Sequence, residues 1–361
     1  MDNALYRSAS LRRIEAAHAS EPLMQRAGAA AAAWAAELAI QRERPVLVLA
    51  GPGNNGGDAF EAARLLRERF FETCVVFAGD PLLLPADAAA AYRRFSEAGG
   101  TTGNSIPADG QWSLIVDGLF GIGLARAPAS QYAEWIETAN LLATRDGCPL
   151  LALDCPSGLN ADSGQAFQPC IRASHTITFI AAKPGLLTAE GPDHCGEIHV
   201  AGLALTPAAE VPSDGRRVSL ADFSSHLAPR RLNSHKGSYG SVGILGGAQS
   251  MVGAAFLAGR AALKLGAGRV YLGLLDPHPP ACDLQQPELM LRRPAALLQA
   301  DLTALACGPG LGSSLDAIEL LEAAIASELP LLLDADALNL VASEGNLQVA
   351  LASRGNPAIL T

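Results

Sequence analysis

The sequence predicts an α/β chain of two successive domains, each a mostly parallel sheet with helices on both faces. Three observations carry that expectation. Short runs that are apolar on both faces alternate with segments of helical spacing, the pattern of strands buried on both sides. The alternation breaks once, over residues 206–217, where Pro, Gly and charge replace any apolar period, and then begins again. Polar, glycine-rich segments follow several of the apolar runs, and parallel sheets bind their ligands at the carboxyl ends of strands.

The elements follow in order. Leu23-Met24-Gln25-Arg26-Ala27-Gly28 opens an Ala-rich helix reaching about residue 40, suited to close packing through small side chains. Strands are expected at 46–50, 74–78, 114–116, 150–153, 176–180 and 198–200, and helices near 59–70, 85–98 and 132–143. The crossovers should be right-handed. Beyond the break, strands are expected at 242–245, 270–275, 303–307, 331–334 and 358–360, with helices at 254–265, 315–326 and 347–353. The last of these strands runs almost to Thr361, so the second domain reads as incomplete.

Length and composition agree with this. A chain of 361 residues suits two domains, and 49% hydrophobic against 17% charged residues describes a folded chain with large cores. The formal net charge of -10 argues against general nucleic-acid or anionic-membrane binding. It leaves room for a nucleotide, which needs only a local site. Seven cysteines stand singly, at 74, 148, 155, 170, 195, 282 and 307. An odd count without close pairs suits free thiols in a reducing, cytoplasmic compartment. No secretory signal and no membrane-spanning run is visible. The Ala-rich first helix makes a homo-oligomer plausible.

Three segments carry chemistry. Gly51-Pro52-Gly53-Asn54-Asn55-Gly56-Gly57-Asp58 reads as a strand-to-helix turn with four glycines. Such a turn offers backbone N–H groups at a helix start, where the dipole favours anions. Its amides and carboxylate can hold a ring amide, a sugar hydroxyl or a metal ion. Asp117-Gly118-Leu119-Phe120-Gly121-Ile122-Gly123-Leu124 follows the next central run, and Leu153-Asp154-Cys155-Pro156-Ser157-Gly158 follows another. Together the three bring Asn55, Asp58, Asp117, Asp154 and Ser157 to one sheet edge. Carboxylates gathered there repel unless a cation or shared protons intervene. The candidate ligands are all oxygens, which suits a hard cation better than zinc.

In this order and spacing, the three segments resemble the N-terminal domain of the NAD(P)HX epimerases, over roughly residues 10–205. Leu23–Gly28 and Thr178-Phe179-Ile180-Ala181-Ala182-Lys183-Pro184-Gly185-Leu186 extend the likeness. That family acts on NADH and NADPH hydrated at C6 of the nicotinamide ring, interconverting the R and S hydrates. The resemblance implies a Rossmann-like three-layer fold. It implies substrate contacts at Asn54, Asn55, Gly56, Gly57 and Asp58, at Gly121, Ile122, Gly123, Leu124, Ala125, Arg126 and Ala127, and at Asp154. It also implies a potassium ion (K+) held by Asn55, Asp117 and Ser157. Asp154 is the expected catalytic proton-transfer group, since either reopening the ring at C6 or losing the hydroxyl moves a proton at that oxygen. The residue after Asp58 is Ala59, where many relatives carry Gly.

The second half is similar to the ADP-dependent NAD(P)HX dehydratases, which have a ribokinase-like fold. The likeness rests on Gly243-Ile244-Leu245-Gly246-Gly247, Met251-Val252-Gly253-Ala254-Ala255, Cys307-Gly308-Pro309-Gly310-Leu311-Gly312 and Leu333-Asp334-Ala335-Asp336. It implies Ala254, Gly310 and Gly312 in a second substrate site, ADP as phosphoryl donor, and Mg2+ with the nucleotide. Residues 1–215 are thus expected to form the epimerase domain and 216–361 the first part of a ribokinase-like domain. The Gly-Thr-Gly-Asp turn of those relatives does not occur. A chain with no more than these residues is expected to lack dehydratase activity. The implied substrates are NADHX and NADPHX. Alternative readings are a non-catalytic binding module on an epimerase-like fold, or a small-molecule kinase.

Overall fold

The computed structural model describes residues 3–361. The chain divides into two compact units, Met1–Ser224 and Ser225–Thr361, each with its own parallel sheet.

The first unit begins with β1 (Ala4–Leu5), α1 (Ser8–Ala17) and α2 (Leu23–Leu38). The sheet elements follow as β2 (Val46–Ala50), α3 (Asn54–Glu68), β3 (Thr73–Phe77), α4 (Ala86–Glu97), β4 (Thr102–Gly103), β5 (Leu114–Gly118), α5 (Gln131–Asp146), β6 (Leu150–Leu153), β7 (His175–Phe179), α6 (Gly191–Cys195) and β8 (Glu197–Ala201). All seven strands are parallel, in the order β4-β3-β2-β5-β6-β7-β8. The chain runs outward from β2 to β4, then returns to lay β5 on the other side of β2. That reversal opens a crevice beyond the carboxyl ends of β2 and β5.

The all-apolar sequence of β2 is explained by its two faces. Val46, Val48 and Ala50 pack with α2, α3 and α4 through Ala27, Ala31, Phe60 and Ala88. Leu47 and Leu49 pack on the opposite face with Trp135 and Ile136 of α5. Helices on both faces leave no polar side to the strand, so its alternation disappears. Helices α2 and α3 approach closely, because a Cβ on Gly28 would meet Glu61 Cβ.

Two expectations change here. The segment 51–58 is a turn only as far as Gly53; Asn54 through Asp58 already form the first turns of α3. The segment 206–217 is not a free linker. It forms α7 (Pro207–Glu210), buries Val211, and pairs β9 (Gly215–Arg216) antiparallel with β1. Asp214 N donates to Leu5 O at 3.0 Å, and Arg7 N donates to the Asp214 carboxylate at 2.8 Å. Pro, Gly and charge marked the loss of a helix or strand period, but backbone groups near the N-terminus supplied partners for the segment.

The second unit contains β10 (Ser241–Gly246), α8 (Val252–Leu265), β11 (Arg269–Leu274), β12 (Met290–Arg292), α9 (Pro294–Leu298), β13 (Ala304–Cys307), α10 (Leu315–Ala326), β14 (Leu331–Leu333), α11 (Asp336–Ser343), α12 (Gly345–Ala352) and β15 (Ala358–Leu360). Its six strands are parallel, in the order β12-β11-β10-β13-β14-β15, so the reversal lies between β10 and β13. Leu245, Leu305, Cys307, Leu321 and Leu333 share one buried cluster. The Ser314 hydroxyl accepts from Ala317 N and caps α10. Among the described residues, no helix is long and apolar enough to cross a membrane.

Candidate active site

The crevice of the first unit holds a cavity of about 620 Å³. Asn54, Asn55 and Asp58 reach it from the start of α3, and residues 119–126 from the loop after β5. Asp154 enters from the end of β6, and Phe179, Ile180 and Lys183 from the end of β7. Gly121, Ile122, Gly123, Leu124, Ala125 and Arg126 all line it; Ala127 does not. Gly56 and Gly57 do not line it either. A Cβ on Gly56 would stand 2.8 Å from the Gly51 carbonyl carbon, and one on Gly57 would stand 2.5 Å from Met24 Sδ and 2.8 Å from Ala88 Cα. These two glycines let protein approach protein, whereas a side chain on Gly53 would meet open space. Ala59, fully buried, faces the bare Cα of Gly118, so the methyl fits where it stands.

Asp154 is held from several directions. It follows β6 with φ at +64°, a left-handed conformation uncommon outside glycine. Its N–H donates to Ile177 O at 2.7 Å. Oδ1 accepts from Lys183 Nζ and from Phe179 N at 3.3 Å, while Oδ2, among the described residues, accepts only a long bond from Ile122 N at 3.4 Å. The Lys183 side chain is 1% exposed. Its ammonium also donates to Thr178 Oγ1 at 2.6 Å and Phe179 O at 3.0 Å.

Among the described residues, the cavity's other carboxylates, Asp58 and Glu15, form no ion pair. Burial, then the charges of Asp154 and Glu15, push the Asp58 carboxyl well above the ordinary aspartate range. Glu15, from α1, is raised by desolvation and then by Asp154, with Lys183 and Arg12 pulling the other way. Lys183, Arg12 and Glu15 were not singled out from sequence. A lone lysine in the apolar run 178–186 was the signal for the first. The i, i+3 pair Leu11 and Ile14, both buried, was the signal for the helix carrying the other two.

Asn55 lines the cavity from the start of α3, whereas Asp117, in β5, and Ser157, after β6, bond to each other and do not line it. Asp117, in β5 and fully buried, accepts from Ser157 Oγ at 2.6 Å, Ser157 N at 2.8 Å and Leu119 N at 3.2 Å. Burial pushes its carboxyl up to about 6, against the pull of these bonds. Ser157 Oγ also accepts from Phe120 N at 2.9 Å and approaches Phe120 O at 3.3 Å. Asn55 is buried with both amide atoms, Oδ1 and Nδ2, lacking a partner. One carboxylate, a hydroxyl and an orphaned amide oxygen fit a weakly coordinating, oxygen-preferring cation. Among the described residues, no group of three His, Cys, Asp or Glu side chains is placed to hold a metal ion.

In the second unit, Ala254, Gly310 and Gly312 come together around Met251. A Cβ on Gly310 would lie 2.7 Å from Met251 O and 3.3 Å from Ala254 Cβ, and one on Gly312 would lie 3.7 Å from Met251 Cε. Gly312 N donates to Asp336 Oδ2 at 2.8 Å, and Ala248 N to Gly310 O at 2.7 Å. Ala254 stands in the first turn of α8, after β10, and Gly310 and Gly312 in the loop after β13, at that sheet's own reversal.

The chain matches two families. Residues 20–185 match the family described as YjeF-related protein N-terminus, and residues 242–361 match the family described as NAD(P)H-hydrate dehydratase. It is 37% identical over 339 residues to the bifunctional NAD(P)H-hydrate repair enzyme Nnr of Coxiella burnetii, covering 91% of this chain and 68% of that one. Its likeness to the enzyme of the same name from Escherichia coli is 38% over 328 residues, covering 89% and 62%. The NAD(P)H-hydrate epimerase of Achromobacter xylosoxidans is 44% identical over 192 residues, 52% of this chain and 88% of that one. The chain spans 61% or 62% of the length of several of the bifunctional relatives it matches. It belongs to the NAD(P)H-hydrate repair family, with its YjeF-related residues in the first unit and its dehydratase-related residues in the second.

Proposed function

We propose that the first unit interconverts the R and S forms of NADHX and NADPHX at C6 of the nicotinamide ring. One observation carries the reading. The 620 Å³ cavity at the sheet reversal gathers Asn54, Asn55, Asp58, the loop 121–126 and Asp154 around a single space. Asp154 is the proton-transfer group. Its Oδ2 has lone pairs to spare, and both routes to inversion, through the opened ring or through loss of the hydroxyl, need a proton moved at the C6 oxygen. Asp58, with its carboxyl raised by burial, remains a hydrogen-bond donor over a wider pH range than a free aspartate and can hold a substrate oxygen or amide.

Asn55, Asp117 and Ser157 would hold a potassium ion, whose positive charge would offset the buried Asp117 carboxylate and attract substrate oxygens. The second unit contributes Ala254, Gly310 and Gly312 to a separate site for the S hydrate. ADP-dependent dehydration, with Mg2+ accompanying the nucleotide, is the activity we propose for a chain carrying that family's whole ribokinase-like domain. Free, mostly buried thiols suit a reducing, cytoplasmic compartment, and a homo-oligomer is the assembly we expect.

The test is direct. R-NADHX is incubated with the chain, potassium, a separate intact dehydratase and the ADP which that dehydratase uses, and NADH absorbance is followed. Recovery faster than spontaneous epimerisation is expected; recovery at the spontaneous rate rejects the epimerase reading.

A further inference from the structure

We infer that Lys183 is a positioning residue of this chemistry: its buried ammonium grips one oxygen of Asp154 and leaves the other, Oδ2, turned to the cavity. The inference rests on the reading of Asp154 as the proton-transfer group. An ammonium has three hydrogens and no acceptor. Here all three are spent inside the protein, on Asp154 Oδ1, Thr178 Oγ1 and Phe179 O. Lys183 therefore has nothing left to offer a ligand, although it sits at the cavity wall.

A buried cation is a costly way to fill space, since a methionine of similar length would pack without desolvating a charge. The geometry shows what the cation achieves. Lys183 and Phe179 N both bind Oδ1, and the Asp154 backbone is locked by its bond to Ile177 O. With one oxygen saturated and the main chain fixed, the carboxylate has one orientation. Among the described residues, Oδ2 keeps only the 3.4 Å bond from Ile122 N, itself part of the cavity loop. The lysine is in turn fixed by its surroundings. Gly185 N donates to Ala161 O at 2.8 Å, and Tyr6 N donates to Ala182 O at 3.0 Å, on either side of it. The end of β7 thus aims the residue at the end of β6.

The experiment compares the wild-type chain with Lys183→Met and Lys183→Ala in the same coupled assay, with substrate concentration varied. Thermal melts establish that each variant folds. A loose Asp154 should lower kcat on the order of 100-fold, the usual penalty for about 1 Å of misplacement, while KM changes by less than about threefold. Ethylammonium chloride should restore the Lys183→Ala rate at least about tenfold, because it can enter the emptied channel, and should do nothing for Lys183→Met. If Lys183→Met or Lys183→Ala fails to fold, Lys183→Arg takes its place. Its forked cation cannot reproduce the three bonds and should lower kcat at unchanged KM. A folded variant that keeps full kcat overturns the inference, as does Lys183→Ala whose lost rate ethylammonium leaves unchanged. A wild-type chain without epimerisation would instead overturn the proposed function itself.

Discussion

Gly56→Ala separates a glycine that makes room for a ligand from one that makes room for protein. Gly56 lies in the first turn of α3, and a Cβ there would stand 2.8 Å from both the N and carbonyl C of Gly51, and closer still to its oxygen. Gly51 cannot retreat, because its N–H is bonded to Gly118 O at 3.0 Å and its own Cα lies against the Leu119 backbone. The helix start must therefore shift by roughly 1 Å to reach ordinary contact. Overpacking of this kind costs about 3 kcal/mol at the upper end. Alanine's better helix propensity returns about 1 kcal/mol, leaving a loss of about 2 kcal/mol and a Tm lower by about 4–8 °C. Asn54, Asn55 and Asp58 ride on the displaced turn, so the epimerisation rate should fall on the order of 100-fold. Differential scanning calorimetry and the coupled NADH assay read both effects. Gly253→Ala is the matched control. It occupies the first turn of α8 with nothing within 4 Å of its Cβ position, so the second unit should keep its stability or gain up to about 1 kcal/mol. A Gly56→Ala chain that melts with the wild type and keeps its rate would refute the reasoning.

Three other outcomes are expected. Asn55→Leu removes two buried amide atoms that lack partners, so it should raise stability by about 1 kcal/mol in choline buffer and abolish any rise in Tm on adding potassium; melts in the two salts check both. Arg94→Met leaves the fully buried Glu61 with Arg64 as its remaining cation, at 2.9 Å, and should cost about 2 kcal/mol by urea denaturation, part of it recovered in Glu61→Leu/Arg94→Met. Asp58 has its carboxyl raised by burial first, so the folded state binds that proton more tightly than the unfolded state. The group's contribution to stability therefore falls as pH rises above the ordinary aspartate range. Asp58→Asn lacks that penalty, and its urea midpoint relative to wild type should rise from about pH 5 to about pH 8.

The architecture was legible because its cause is local. Strands covered on both faces cannot alternate, and the runs at 46–50 and 150–153 coincide with the buried β2 and β6; the run at 358–360 coincides with β15, an edge strand whose three residues are exposed. The placement of Asp117 and Asp154 at strand ends was legible for the same reason. Partnerships across the chain were not. Glu61 with Arg94, Asp154 with Lys183, and β1 with β9 join residues that no period connects. The start of α3 was set late because two glycines lower helix propensity, whereas the turn is held by contacts that propensity does not register. Arg12 and Glu15 were missed with α1, a ten-residue helix before the first recognised element.

The close approach of main chain to Gly51, Gly56 and Gly57, from Leu119, Gly51 and Ala88 respectively, bears on how descent is read from such motifs. Selection on folding alone would preserve these glycines in a duplicate that had abandoned chemistry, since each protects a main-chain approach. Asn55, Asp154 and Lys183 sit under a different pressure, because a buried orphan amide and a buried ion pair are burdens once their use is gone. A pseudoenzyme lineage should therefore shed the three polar residues first and carry the glycine signature longest, so that the most visible part of the motif dates the fold and the least visible part dates the activity.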